Sequence, residues 1–308
     1  MMKKWIMIVN PASASATTKD TWQQSKKILE DGGLAVETWI TDYPSHGIKL
    51  AQEAAARGER YFIAVGGDGT IHEVMTGLLR YTEATGGDMG DFTLAALPYG
   101  TGNDWIKTSL IPRDMASAAQ CILAGKTSCE DVVRVTFENG VFCMANVGGI
   151  GLDADICHYT NSMKEKKLKG GLLYKMVAPY SLFTKNRYPV EIICDGECIY
   201  KGKLFSVVIG NGDYRGGGVH QTEEGDWSDG ILEVSVMGAV SHMKALRLML
   251  HALSGDFSKQ KGIISRRFRK LTVRPLAQSH RVELDGEIPG MLPATFEVTG
   301  QQIQIIVP

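Results

Sequence analysis

Tyr61-Phe62-Ile63-Ala64-Val65-Gly66-Gly67-Asp68-Gly69-Thr70-Ile71-His72-Glu73-Val74-Met75-Thr76-Gly77-Leu78-Leu79 is the stretch that decides the fold. Its first five residues form a short apolar run, the pattern of a strand covered on both faces. Three glycines in the next four positions let the backbone turn sharply and let a ligand approach it. Thr70 and Glu73 have capping-box spacing, which predicts a helix beginning there. Ile71, Val74, Met75, Leu78 and Leu79 then share one face, which must pack onto the sheet. A glycine turn feeding a helix N-terminus aims backbone N–H groups at one point, and the helix dipole adds to them. That is a site for an anion such as phosphate. Asp68 is the odd member, because a carboxylate repels bare phosphate. A cation such as Mg²⁺ between them resolves the conflict. Taken alone, the same residues also read as a tight strand-to-helix turn.

Working outward, the first half alternates strands with helices. Strands are predicted at Trp5–Val9, Ala35–Ile40 and Phe92–Leu97, besides Tyr61–Val65. Helices are predicted at Lys19–Glu30, Ser45–Arg57 and Met115–Ala124, with glycines Gly32, Gly58 and Gly125 closing them. This alternation implies a parallel sheet covered by helices, an α/β nucleotide-binding architecture over residues 1–130. Ligands in such sheets sit beyond the carboxyl ends of the strands, where the loops at Asn10, Gly66 and Pro98 all fall. The loop Pro98-Tyr99-Gly100-Thr101-Gly102-Asn103-Asp104 repeats the chemistry of the first, with glycines, a hydroxyl, an amide and a carboxylate. No Walker-type lysine follows Gly69, and His72 stands where the dinucleotide fingerprint needs Gly or Ala.

Gly66-Gly67-Asp68-Gly69-Thr70, with Asn10-Pro11-x-Ser13 before it and Pro98-x-Gly100-Thr101-x-Asn103-Asp104 after it, resembles the diacylglycerol kinase catalytic-domain family. That family includes soluble bacterial lipid kinases and the sphingosine and ceramide kinases. The order and spacing of three motifs carry the likeness. NAD kinases and phosphofructokinases share the first motif alone. The resemblance implies that ATP binds at Asn10, Ser13, Gly66, Gly67, Gly69, Thr70, Gly100, Thr101 and Asn103, with Mg²⁺ as cofactor.

From residue 131 to 308 the pattern changes to short alternating strands, with helical stretches only around Lys164–Phe183 and Ser241–Leu253. A mainly antiparallel β-sandwich domain is predicted, whose last strand has the option of returning to the first domain. The resemblance implies the same, with the β-rich domain on the lipid side and the active site between the domains. Gly149-Ile150-Gly151-Leu152-Asp153-Ala154 reads as a structural turn, since no acidic ribose partner follows it. Asn211 to Gly218 is a glycine-rich loop that the resemblance places at the substrate pocket. Asp226, Asp229 and Ile231 resemble a family loop holding a structural Mg²⁺, although Asp229-Gly230 alone reads as a hairpin turn.

Asp285-Gly286-Glu287 places two carboxylates around a glycine. Transfer of a phosphoryl group to an alcohol needs a base for the hydroxyl proton, Mg²⁺ on the phosphates and close positioning. By itself this tripeptide is a turn. Through the resemblance Asp285 becomes the expected base, Glu287 its helper, and Asp68, Asp104 and Asp131 members of the acidic network. Carboxylates crowded together call for a cation. His72 and Ala14 depart from the family pattern at the nucleotide loops.

The totals narrow the classes. A formal charge of −1 over 308 residues argues against nucleic acid as a partner. Six scattered cysteines, without zinc spacing, predict reduced and mostly buried thiols in a cytoplasmic protein. The apolar run at the N-terminus is too short for a signal peptide, and none approaches the roughly 18 residues of a membrane span. Contact with lipid is therefore expected to be peripheral. Two basic clusters are candidates, Lys164–Lys169 and Arg266–Lys270. The expectation is an ATP- and Mg²⁺-dependent lipid kinase acting on diacylglycerol or a related alcohol, with a homodimer left open. An NAD kinase and a catalytically silent nucleotide or lipid binder are the rivals.

Overall fold

The computed structural model describes residues 3–13, 21–100, 103–165, 188–211, 214–215, 219–220, 226–240 and 262–308. Thr101, Ala14, the glycines at 216–218, the expected helix over 164–183 beyond residue 165 and the expected helix over 241–253 lie outside the described residues. The chain divides into two units, Met1–Val132 with Thr299–Pro308, and Val133–Val298.

The first unit runs β1 (Lys4–Val9), α1 (Thr21–Asp31), β2 (Ala35–Ile40), α2 (His46–Ala56), β3 (Tyr61–Gly66), α3 (Asp68–Thr85), β4 (Thr93–Pro98), α4 (Trp105–Thr108), α5 (Met115–Ala124) and the start of β5 (Thr127–Phe137). β1 pairs in parallel with β2 and with β3, and β3 pairs in parallel with β4. The expected parallel sheet is therefore present. β1 and β3 are buried almost throughout, which their continuous apolar runs demand. Val74, Met75 and Leu78 of α3 are fully buried, each contributing roughly 1.5–3 kcal/mol by leaving water. Gly77 lets α3 approach α2: a Cβ there would lie 2.4 Å from the Ile48 carbonyl oxygen and 2.7 Å from Ala51 Cβ.

The capping box does not form. α3 begins two residues earlier, with Gly67 as its N-cap and no side-chain cap. Glu73 instead reaches out to α2, accepting the Ser45 N–H at 2.9 Å and the Gly47 N–H at 2.8 Å. It satisfies donors at the start of another helix, a tertiary use that local spacing does not reveal.

The second unit is mainly antiparallel, as expected. It contains β6 (Gly140–Met144), β7 (Val147–Gly151), α6 (Leu152–Glu165), β8 (Tyr188–Cys194), β9 (Glu197–Gly210), β10 (Tyr214–Arg215), β11 (Val219–His220), β12 (Leu232–Gly238), β13 (Ile263–Phe268), β14 (Lys270–Pro275), β15 (Arg281–Leu284), β16 (Glu287–Met291) and the start of β17 (Ala294–Ile306). The fourteen-residue β9 bonds β7, β8 and β12, all antiparallel. Asp195 and Gly196, both at positive φ, turn β8 into β9 as a hairpin of the primed type. The segment 149–154 is not a turn: Gly149 to Gly151 complete β7, and Leu152 opens α6. β17 serves both units, pairing β14 with its first residues and β4, in parallel, with Gln304 and Ile305. All six cysteines are thiols. Only Cys143 and Cys194 are buried and Cys198 is exposed, so the expectation of mostly buried thiols fails.

Candidate functional site

In the first unit, parallel β1, β3 and β4 end at the same edge, and three loops meet there. The Asn10 N–H donates to the Val65 carbonyl at 3.0 Å, and the Tyr99 and Gly100 N–H groups donate to the Gly66 carbonyl at 2.8 and 3.1 Å. Asn10 Oδ1 accepts the Ala12 N–H at 3.0 Å, folding its loop back through Ser13 as an Asx turn. Gly66 and Gly100 are required by the protein's own packing. A Cβ on Gly66 would lie 2.0 Å from Thr70 Oγ1, and one on Gly100 would lie 2.7 Å from Gly67 Cα. Gly67 is different, since a Cβ there meets nothing closer than 3.4 Å. Asn103 sits at φ +49° and donates through Nδ2 to the Gly100 carbonyl at 2.7 Å, closing the third loop.

The Asp68 carboxylate points into this loop rather than toward an anion. Oδ2 accepts the Asp104 N–H and Oδ1 the Trp105 N–H, each at 3.0 Å. It thus caps α4, and those donors reduce the charge conflict that sequence alone assigned to a cation. Asp104, buried at its carboxylate, pairs with Lys107. The Trp105 indole donates to Glu130 Oε2 at 2.9 Å, deep in the unit. Asp131 accepts from Gln302 Nε2 at 2.9 Å, so the returning end of β17 holds it. Glu130 and Lys107 escaped the sequence reading. The signal for Glu130 was available, because a buried tryptophan N–H needs an acceptor.

These residues fit a nucleotide phosphate. α3 has a bare glycine cap, and the Thr70 hydroxyl, buried at 1 % exposure, has no hydrogen-bond partner among the described residues. Gly69 follows in the first turn. His72 lies on the buried side of α3. For Mg²⁺, no three His, Cys, Asp or Glu side chains gather among the described residues.

In the second unit Asp285 and Gly286 stand at φ +51° and +86°, the two central residues of a primed hairpin turn joining β15 to β16. Asp285 is buried at 7 % exposure. Its carboxylate accepts three backbone N–H groups, from Ala145 at 2.9 Å, Asn146 at 2.8 Å and Val147 at 3.1 Å. The Asp285 N–H in turn donates to the Val147 carbonyl at 2.9 Å. A side chain held by so many bonds has one direction. Glu287 is exposed and does not share this burial. The carboxylate that closes on the turn is Glu283, whose Oε1 accepts the Gly286 N–H at 2.7 Å.

The expected structural Mg²⁺ loop is built differently. Asp226 Oδ1 accepts from the Ser228 N–H and hydroxyl at 3.0 and 2.6 Å. Asp229 Oδ1 accepts the Ile231 N–H at 2.9 Å, and its other oxygen pairs with the Arg267 guanidinium. A guanidinium supplies the positive charge at Asp229, and these side chains do not fit a metal cage as arranged. In the second basic cluster two side chains meet carboxylates. Arg267 meets Asp229, Lys270 meets Glu297 at 3.1 Å, and Asp195 accepts the backbone N–H groups of Arg269 and Lys270. Among the described residues no helix is long and apolar enough to cross a membrane.

Two family models match this chain. Residues 4–135 match the family model described as the diacylglycerol kinase catalytic domain, and residues 146–307 match the YegS C-terminal NAD kinase beta sandwich-like domain. The chain is 28% identical to the diacylglycerol kinase of Bacillus subtilis (strain 168), over 100% of this chain and 97% of that one. It is 30% identical to a protein named "Probable lipid kinase YegS-like" from Klebsiella pneumoniae (strain 342), over 73% of this chain and 71% of that one. In fold it is similar to the crystal structure of a diacylglycerol kinase from Bacillus anthracis str. Sterne, with a TM-score of 0.70, 22% identity, and coverage of 99% of this chain and 97% of the other. With both domain models met in order along the chain, it belongs to the diacylglycerol kinase catalytic-domain family of lipid kinases.

Proposed function

We propose that this protein transfers the γ-phosphate of ATP to the hydroxyl of a lipid, with diacylglycerol as the first acceptor to test. The single observation that carries the reading is Asp285. It is a buried carboxylate fixed in one orientation by three N–H bonds on a primed hairpin turn, the positioning that a base for a single hydroxyl needs. Bound ATP would supply the phosphoryl group, leaving as ADP, and Mg²⁺ bound with it would neutralise the phosphate oxygens. The glycine-capped start of α3 and the Thr70 hydroxyl receive phosphate, and Asp68 keeps the Asn103 loop in place. Asp285 takes the proton from the acceptor hydroxyl. The chain works as a peripheral enzyme at a bilayer surface.

The relatives' names support a lipid acceptor, while the name of the second domain model keeps NAD⁺ as the competitor to exclude. Purified protein should be given labelled ATP and Mg²⁺ with diacylglycerol in detergent micelles or with NAD⁺. Label in the lipid phase alone is the expected result. Label on NAD⁺ alone, or on neither, would overturn the proposal.

A further inference from the structure

Two residues of α6 grip the turn that carries Asp285. Cys157 and Asn161 are four apart, so they stack on one helix face. Asn161 Nδ2 donates to the Gly286 carbonyl at 2.9 Å, and the Cys157 thiol donates to the same oxygen at 3.0 Å. The Asn161 amide also reaches Cys157 Sγ at 3.6 Å. On the other side of the same residue, the Gly286 N–H is held by Glu283 at 2.7 Å. Both peptide groups of Gly286 are thereby fixed. In a two-residue turn, rotating either would swing the neighbouring Asp285, whose own φ of +51° leaves little slack.

The helix providing the grip is itself anchored. Its apolar residues Leu152, Ile156, Tyr159 and Met163 cluster with Phe205 of β9. Asp153 accepts from the Ser206 hydroxyl, and Asp155 Oδ2 accepts from the Tyr188 hydroxyl at 2.7 Å. Asparagine is a poor interior helix residue, so helix propensity does not explain Asn161. Its amide provides what an aliphatic residue lacks, a donor aimed at a turn carbonyl.

We propose that Asn161 and Cys157 are positioning residues for phosphoryl transfer, holding the Gly286 carbonyl and so aiming the Asp285 carboxylate. The inference rests on the reading of Asp285 as the base. The test is steady-state kinetics with thermal melts on Asn161→Ala, Asn161→Asp, Cys157→Ala, Cys157→Ser, Asp285→Asn and the double variant Asp285→Asn/Asn161→Ala.

Asn161→Ala is expected to lower kcat roughly 10- to 100-fold with the KM for ATP unchanged, the scale of a small misplacement of a reacting group. Asn161→Asp keeps the shape but turns an acceptor toward a carbonyl, so it should be at least as impaired. Cys157→Ser retains a donor and should stay closer to wild type than Cys157→Ala. In the Asp285→Asn background, Asn161→Ala should cost nothing more, because residues acting as one unit are not additive. Wild-type kcat in both Asn161 variants, a loss confined to melting temperature, or a full extra loss in the double variant would each overturn the inference. Wild-type turnover by Asp285→Asn would remove the base assignment and the inference together. A large loss there beside harmless Asn161 variants would remove only the inference.

Discussion

Asp68 and Trp105 are joined side chain to backbone: Asp68 Oδ1 accepts the Trp105 N–H at 3.0 Å, while Oδ2 takes the Asp104 N–H at the same distance. The motif aspartate is thus an organiser of the Asn103 loop. Asp68→Ala removes both acceptors and is expected to lower stability by about 1–2 kcal/mol, the scale of a lost helix cap. Asp68→Asn keeps one acceptor and should fall between. Urea unfolding of the two variants checks the order, and a neutral Asp68→Ala would refute the capping role.

Gly67 and Gly100 separate packing from ligand approach. Gly100→Ala forces a Cβ to 2.7 Å from Gly67 Cα, and overpacking of this kind costs about 1–3 kcal/mol. Gly67→Ala meets only ordinary contacts beyond 3.4 Å. It should melt near wild type yet bind ATP more weakly, because the added methyl stands where phosphate would approach. Equal ATP affinity in Gly67→Ala, by calorimetry, would contradict a phosphate at this helix start.

Trp105 is matched to Glu130 by an indole bond of 2.9 Å at a fully buried carboxylate. Trp105→Phe takes that donor away and should destabilise the protein by about 1–3 kcal/mol. Chemical denaturation reads the loss directly. A variant as stable as wild type would mean that the bond is energetically idle.

Glu73 gives a pH signature. Burial raises it above the usual 4.5, while the Ser45 and Gly47 N–H bonds pull it back. An acid raised in the folded state holds its proton longer there than in the unfolded chain. Its contribution is therefore present below pH 4.5 and is lost as pH climbs through the raised folded value. The stability of wild type relative to Glu73→Gln should decline across that window. A flat or rising difference in pH-stepped urea titrations would count against the burial of Glu73 as described.

The parts of this architecture that follow local rules were readable from the chain. The buried strand at Tyr61 and the glycine closing α5 at Gly125 obey short-range patterns. What escaped depends on contacts across long separations. Glu73 has capping-box spacing with Thr70, yet a tertiary contact with α2 takes its carboxylate. Gly149-Ile150-Gly151 reads as a structural turn once no acidic ribose partner follows it, but strand pairing with β9 and β15 keeps it extended. Asp285 was legible as a turn residue with functional resemblance. Its three N–H partners lie about 140 positions away and could not be seen. Glu283 and Asn161, which fix the same turn, carry no motif at all.

The most direct test of the account is transfer of labelled γ-phosphate from ATP and Mg²⁺ into a mixed lipid extract, with Asp285→Asn alongside and ATP binding measured for both. The account predicts a labelled lipid from the wild type, and a loss of about 10²–10⁴-fold in the variant with ATP binding kept. A variant that labels lipid at the wild-type rate would contradict Asp285 as the base, and a wild type that labels no lipid under any nucleotide or detergent would contradict the lipid-kinase reading itself.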